Sequence, residues 1–269
     1  MEGSNMRSIG STLRFIGAYV VANLQSAMEY RSAFFVQVLM MFSSDCLWLF
    51  FWWTYFHQYP LVHGWQVTNI VVLWAVSACG FGVSAGIFGN ARQLGTLIMN
   101  GSLDAYLGMP RNILLHVCVS ATDPTGLGDM LFGVGAFILL LHPSVLQFSL
   151  FLLLVLHVCG IFTAFAIILG SLAFFLGNTE GFTQQMLGAL ISFSTYPMDI
   201  FQGAVRILLF TLLPAGFISF IPLQLLTHFA WPLLGALTGF TLLFLAIATS
   251  VFRIGLRRYE SGNLMGMQA

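Results

Sequence analysis

Asp45 stands near the middle of an apolar stretch that runs from about Ala33 to Phe56. A carboxylate at such a depth in a membrane costs roughly 2.5 to 3.5 kcal/mol on insertion scales, so it must face protein or water and keep a partner. Two readings follow: attraction of a cationic substrate in a translocation path, or a hydrogen bond to a Ser or Thr on a neighbouring helix. No other charge lies as clearly within an apolar run. Asp199 and Arg206 sit seven residues apart near the end of a later apolar stretch, where they form either an ion pair bracing a turn or an outer gate. Gly82-Val-Ser-Ala-Gly86 has the form G-x-S-x-G. That chemistry needs Ser on a strained turn beside a His base, whereas Ser84 lies within a continuous apolar segment. His116, His157 and His228 lack the short spacings of metal or haem ligands. No catalytic, cofactor-binding or metal-binding residue is assigned.

The chain contains no lysine; all nine basic side chains are Arg. Walker and kinase nucleotide sites both place a Lys on the phosphates, so any ATP that drives this protein must bind to another chain. Hydrophobic residues make up 58% of the sequence and charged residues 7%, against about 25% charged in a soluble domain. Too little charge is present to cover a water-facing surface, which predicts one membrane domain with spans of about 20 apolar residues. Zero net charge gives no sign of nucleic-acid binding. Cys46, Cys79, Cys118 and Cys159 lie in or beside apolar stretches and read as buried free thiols.

The elements that must position these residues follow from periodicity. Met6, Ile9, Leu13, Ile16, Val20 and Leu24 recur every three or four positions, which predicts an amphipathic helix within residues 1–32, lying flat in the interface. Spans are expected at 33–56, 67–88, 145–176, 185–201 and 231–252, with a third, shorter one ending at Leu141. That span has a clean apolar run only from Met130, and Asp123 and Pro124 interrupt what precedes it. Ala78, Gly82 and Gly86 form a small-residue stripe that lets another helix approach closely. The segment 204–226 is long enough to cross, but Pro214 and Pro222 divide it. With six crossings, Arg7, Arg14, Arg31, Arg92, Arg111, Arg253, Arg257 and Arg258 all fall on one side, as the positive-inside rule requires, and only Arg206 does not. The expected fold is an all-α polytopic membrane protein: an N-terminal interfacial amphipathic helix, six transmembrane helices, and a re-entrant helical hairpin at 204–226 between the fifth and sixth. The transmembrane domain is expected at 33–253 and a cytoplasmic tail at 254–269, with both termini cytoplasmic.

This layout resembles the permeases of ABC-2-type transporters. Gly101-Ser-Leu-Asp-Ala-Tyr-Leu-Gly-Met-Pro110 is similar to the G-x-L-D-x-Y-L-x-x-P stretch of their six-span, viologen-exporter-like subfamily. Tyr196-Pro-Met-Asp-Ile-Phe201, the stretch from Leu213 to Pro222, and Gly255-Leu-Arg-Arg-Tyr-Glu-Ser-Gly262 resemble its later blocks in the same order. The resemblance implies an exporter in the inner (plasma) membrane, built from this chain, a second permease that is identical or homologous, and two ABC ATPase subunits that carry the ATP and Mg. It implies no cofactor on this chain. The charged loop 89–112 would then hold the coupling segment, with Arg92, Asp104 and Tyr106 as candidate ATPase contacts; local capping or pairing is the alternative for Asp104. A secondary transporter working without ATP is the competing class. Such proteins often show internal repeats and ionisable groups at the midplane, and no repeat is visible between the two halves.

Overall fold

The structure, a computed structural model, describes residues 2–62 and 64–259, with side chains from residue 10 onward. Most of the expected tail, 260–269, lies outside the described residues, as do Met1 and His63. The described chain is a bundle of helices. The first, α1 (Glu2–Ala27), passes through a 3₁₀ turn into α2 (Arg31–Gln58), and α3 (Val67–Phe88) follows. A run of short helices comes next: α4 (Leu94–Met99), α5 (Asp104–Leu107) and α6 (Ile113–Val119). The rest comprises α7 (Thr125–Leu141), α8 (Val145–Ser171), α9 (Ala173–Leu176), α10 (Glu180–Ser194), α11 (Gly203–Thr211), α12 (Ile221–Thr227) and α13 (Trp231–Leu256).

Length and apolar composition qualify four helical stretches to cross a membrane, at 10–58, 67–99, 145–176 and 231–256, and a fifth if the bent pair α11 and α12 counts as one span. Burial separates inner from outer helices. Within these stretches 83% of the apolar window beginning with α3 is buried and 67% of that of α8, against 11% for 10–58 and 17% for α13. The centre of the bundle is therefore α3 and α8, and the outward faces of α2 and α13 carry the apolar side chains that meet lipid or another protein.

Lipid offers no hydrophobic drive between helices, so close van der Waals packing must hold them together. The contact of α3 with α7 is built that way. A Cβ placed on Gly126 would lie 2.6 Å from the Gly82 carbonyl oxygen, and one on Gly133 would lie 2.5 Å from the Ala75 carbonyl oxygen. Gly82 thus sits in the contact that its small-residue stripe implies, and Gly126 and Gly133 are its counterparts on α7. Gly128 faces the other way and brings α7 within 2.6 Å of the Val38 carbonyl on α2 by the same measure.

Caps explain several helix ends. Gln66 and Asn69 form a reciprocal cap at the start of α3, and Ser144 with Gln147 does so for α8. His142, with a left-handed φ of 46°, ends α7 just before Pro143.

Two elements differ from the sequence reading. A fifth span over 185–201 would have run through Pro197, whereas α10 begins at Glu180 and stops at Ser194. Proline disfavours helical geometry in the residue before it, and the chain continues through a 3₁₀ turn at Met198–Ile200. In the 204–226 segment only the stretch around Pro214 breaks the helix, with a bend of 75° between Gly203–Thr211 and Gly216–Thr227. Pro222 does not interrupt, because it follows a π-helical turn at Gly216–Phe220, a local rewinding that can re-aim the hydrogen bonds a proline cannot make. Phe210 folds over Gly216 across the bend, and Phe217 stacks on Phe240 of α13 with ring centres 3.7 Å apart.

Candidate functional site

Asp45 lies at the midpoint of α2 and is 4% exposed. Its partner is neither Ser nor Thr. The carboxyl of Asp129, 2% exposed on the first turns of α7, stands at hydrogen-bonding distance. Sequence reading began the clean apolar run at Met130, just after Asp129, and so counted a single deep carboxylate. The structure corrects this: α7 begins at Thr125, five residues before the clean apolar run, and carries Asp129 into the bundle. The signal was the Gly126-x-Gly128-Asp129 spacing, in which two glycines admit α2 and α3 so closely that the next side chain is enclosed.

The two aspartates line a cavity of about 280 Å³ with Trp48, Trp74, Ser77 and Tyr196. Trp48 stacks on Trp74 at 6.3 Å. The open end of α10 supplies carbonyl oxygens to the same place: Trp74 Nε1 donates to the Thr195 carbonyl at 3.2 Å and Ser77 Oγ to that of Ser194 at 3.5 Å. Trp48, Trp52 and Tyr196 are shared with a second cavity of about 530 Å³, which reaches Val62, Trp65 and Asp199 at the end of the bundle where α2 stops. Polar groups thus lie deep in the bundle, with a chain of aromatic rings leading from them to one end.

Asp199 receives a hydrogen bond from Trp65 Nε1 at 2.8 Å and stands 3.6 Å from the Arg206 guanidinium. The structure therefore brings together Asp199 and Arg206, and adds Trp65, which the sequence did not single out. All three lie at the rim of the second cavity or beside it. Arg206 also covers the Phe220 ring at 5.7 Å. The ion pair is more than two-fifths exposed, and such pairs contribute about 1 kcal/mol or less in water.

At the opposite end, Arg92, Asp104 and Tyr106 of the 89–112 loop, expected as ATPase contacts, have partners within the chain. Arg92 pairs with Asp123. Burial raises the affinity of Asp123 for its proton, but hydrogen bonds from Thr125 and Arg92 outweigh it and hold the carboxyl below its ordinary value. Tyr106 meets Ser120 Oγ at 3.0 Å, and Asn90 donates to Ser120 and to the Val117 carbonyl. Asp104 lies beside the Tyr259 hydroxyl, just past α13; partial burial and this carboxylate push that hydroxyl up to about 12. The exposed large apolar side chains of the segment are Met99, Leu107 and Met109, each more than two-fifths accessible. Helix α1 is tied to the same end: Tyr19 bonds His116, Asn23 Nδ2 donates to the Val119 carbonyl at 2.9 Å, and Arg111 covers the Phe15 ring.

Ser84 and His157 have packing partners. Ser84 shares a 2.8 Å hydrogen bond with Thr163 on α8, and His157 Nε2 lies 3.0 Å from the Thr238 hydroxyl. Among the described residues no group of three His, Cys, Asp or Glu is arranged to hold a metal ion.

A chain that is helical throughout its described residues, with several apolar helices of membrane-crossing length, is a multi-pass membrane protein. Residues 42–263 match the family model described as ABC-2 family transporter protein, and the chain belongs to that family. It is a membrane permease of the ABC transporter class. No curated protein and no solved structure matches it.

Proposed function

We propose that this chain is the transmembrane subunit of an ATP-driven exporter. It pairs with a second permease, identical or homologous, and is driven by two separate ATPase subunits that hold the ATP and Mg. Family membership carries this reading, and the absence of lysine accords with nucleotide chemistry on another chain. The segment from Met99 to Met109 supports it physically. It presents exposed apolar side chains at one end of the bundle; Tyr106 ties it to Ser120 after α6 and Asp104 to the chain after α13, while Arg92, just ahead of it, pairs with Asp123 before α7. A partner docked there moves the bundle as a body. Arg92, Asp104 and Tyr106 then act by holding the segment rigid.

The topology is six crossings, with α2, α3, α7, α8, α10 and α13 as spans and α11–α12 as a hairpin that enters and returns on the outer side. The 75° bend and the arginine distribution support it. Both termini are then cytoplasmic in the inner membrane, α1 lies in the cytoplasmic interface, and Asp199 and Arg206 form an outer gate above the path that Asp45 lines. Reporters placed near Met1 and after Ala269 are expected on the same, cytoplasmic face. Opposite faces overturn the hairpin.

Transport in inverted vesicles is the functional test. Uptake should require ATP and stop with vanadate, and an ABC ATPase should co-purify with the permease in mild detergent. The deep carboxyls favour a second reading, a secondary transporter. Uptake that runs on an ion gradient, without ATP and in the presence of vanadate, would establish that instead.

A further inference from the structure

Neither packing nor the docking of an ATPase requires two carboxyls in contact inside a membrane bundle. Asp45 comes from α2 and Asp129 from α7, both more than nine-tenths buried, and each leaves its Oδ2 enclosed without a hydrogen-bond partner against the cavity they line. A carboxylate only accepts hydrogen bonds, so two carboxyls can bond to one another only through a proton on one of them. Neither forms an ion pair with a basic side chain among the described residues. Arg92, whose charge acts on Asp129, is engaged by Asp123. The other titratable groups near the pair are Asp123 before α7, Cys46 beside Asp45, Cys79 from α3 and Tyr196 beyond α10, none of them cationic. Two bare negative charges in contact inside an apolar bundle repel strongly, and no basic side chain among the described residues pairs with either of them.

We propose that Asp45 and Asp129 form an intramembrane proton-binding site, in which one proton held between the carboxyls joins α2 to α7. Loss of the proton drives the two helices apart at the cavity, so separation of α2 from α7 during transport releases a proton and their return takes one up. The aromatic cavity leading from the pair toward Trp65 supplies the route by which water reaches it. The inference rests on the geometry of the pair and not on which energy source drives the permease.

The test uses the full-length protein in lipid nanodiscs and dicyclohexylcarbodiimide, an apolar reagent that adds to protonated carboxyls. Near neutral pH the wild type is expected to be labelled at Asp45 or Asp129, as located by mass spectrometry, and to show the infrared C=O band of a carboxylic acid. In Asp45→Asn and in Asp129→Asn the amide donates to the remaining carboxylate and replaces the proton. Both should fold, and labelling should fall by at least about tenfold in each. Labelling that persists in either single variant overturns the shared proton. Should a variant fail to fold, the wild type decides alone: no labelling at either residue and no carboxylic band near neutral pH overturns the site.

Discussion

Gly133→Leu is expected to abolish recovery of folded, monodisperse protein, while Gly135→Leu on the same helix leaves it intact. At position 133 even a Cβ would lie 2.5 Å from the Ala75 carbonyl oxygen and 2.6 Å from Cys79 Cβ. Both belong to α3, one of the two central helices, and a carbonyl cannot swing aside as a flexible side chain can. Overpacking costs up to about 3 kcal/mol in ordinary cases, a hundredfold shift in the folding ratio. A four-carbon side chain where no methyl fits belongs at or above that limit. At position 135 no atom lies within 4 Å of where the Cβ would stand. Leucine there gains helix propensity of up to about 1 kcal/mol. Size-exclusion profiles and thermal melts in one detergent make the comparison. Equal behaviour of the two variants means that the glycine contact between α3 and α7 does not hold the bundle.

Leu107→Glu combined with Met109→Glu should eliminate ATP-driven transport and leave the permease folded. Both side chains are exposed, at 43% and 44%, so a charge at either position disturbs nothing inside the chain. A docked ATPase would bury them. Apolar anchors at the centre of an interface are worth about 2 kcal/mol each or more on truncation, and buried carboxylates add a desolvation cost. Two together weaken docking by about a thousandfold. The measurements are ATPase co-purification, vanadate-sensitive uptake and the melting temperature of the isolated permease. Normal uptake by a variant that carries both glutamates removes the Met99–Met109 segment from the coupling interface.

The two sites differ in how much of each the sequence displays. Asp45 is visible because it stands alone in an apolar stretch. Its partner is hidden, since Asp129 precedes the clean apolar run and reads as the edge of a loop. Only the packing of Gly126 and Gly128 against α3 and α2 shows that the loop has ended and the bundle has begun. The coupling segment shows the reverse. Its charged and aromatic residues attract notice, yet Arg92 and Tyr106 are held by Asp123 and Ser120, and its exposed large apolar side chains are plain Leu and Met. A charged side chain on a loop finds an intramolecular partner where the chain folds back upon it, and linear spacing does not record that return. Trp65 was missed for the same reason: its partner Asp199 is 134 residues away.

What the sequence determines alone is the solvent and the period. With 7% charged residues the chain must meet lipid, and lipid forces every backbone group to be satisfied within helices. Helix positions are therefore legible from apolar runs, glycine stripes and capping residues, and the ends at Phe88, Leu141 and Trp231 fall where those signals lie. Tertiary structure alone decides which polar groups meet. In an apolar medium, polar groups are drawn to one another across helices whatever their separation in sequence, and the pairing of Asp45 with Asp129 depends on how closely glycines let α2, α3 and α7 approach.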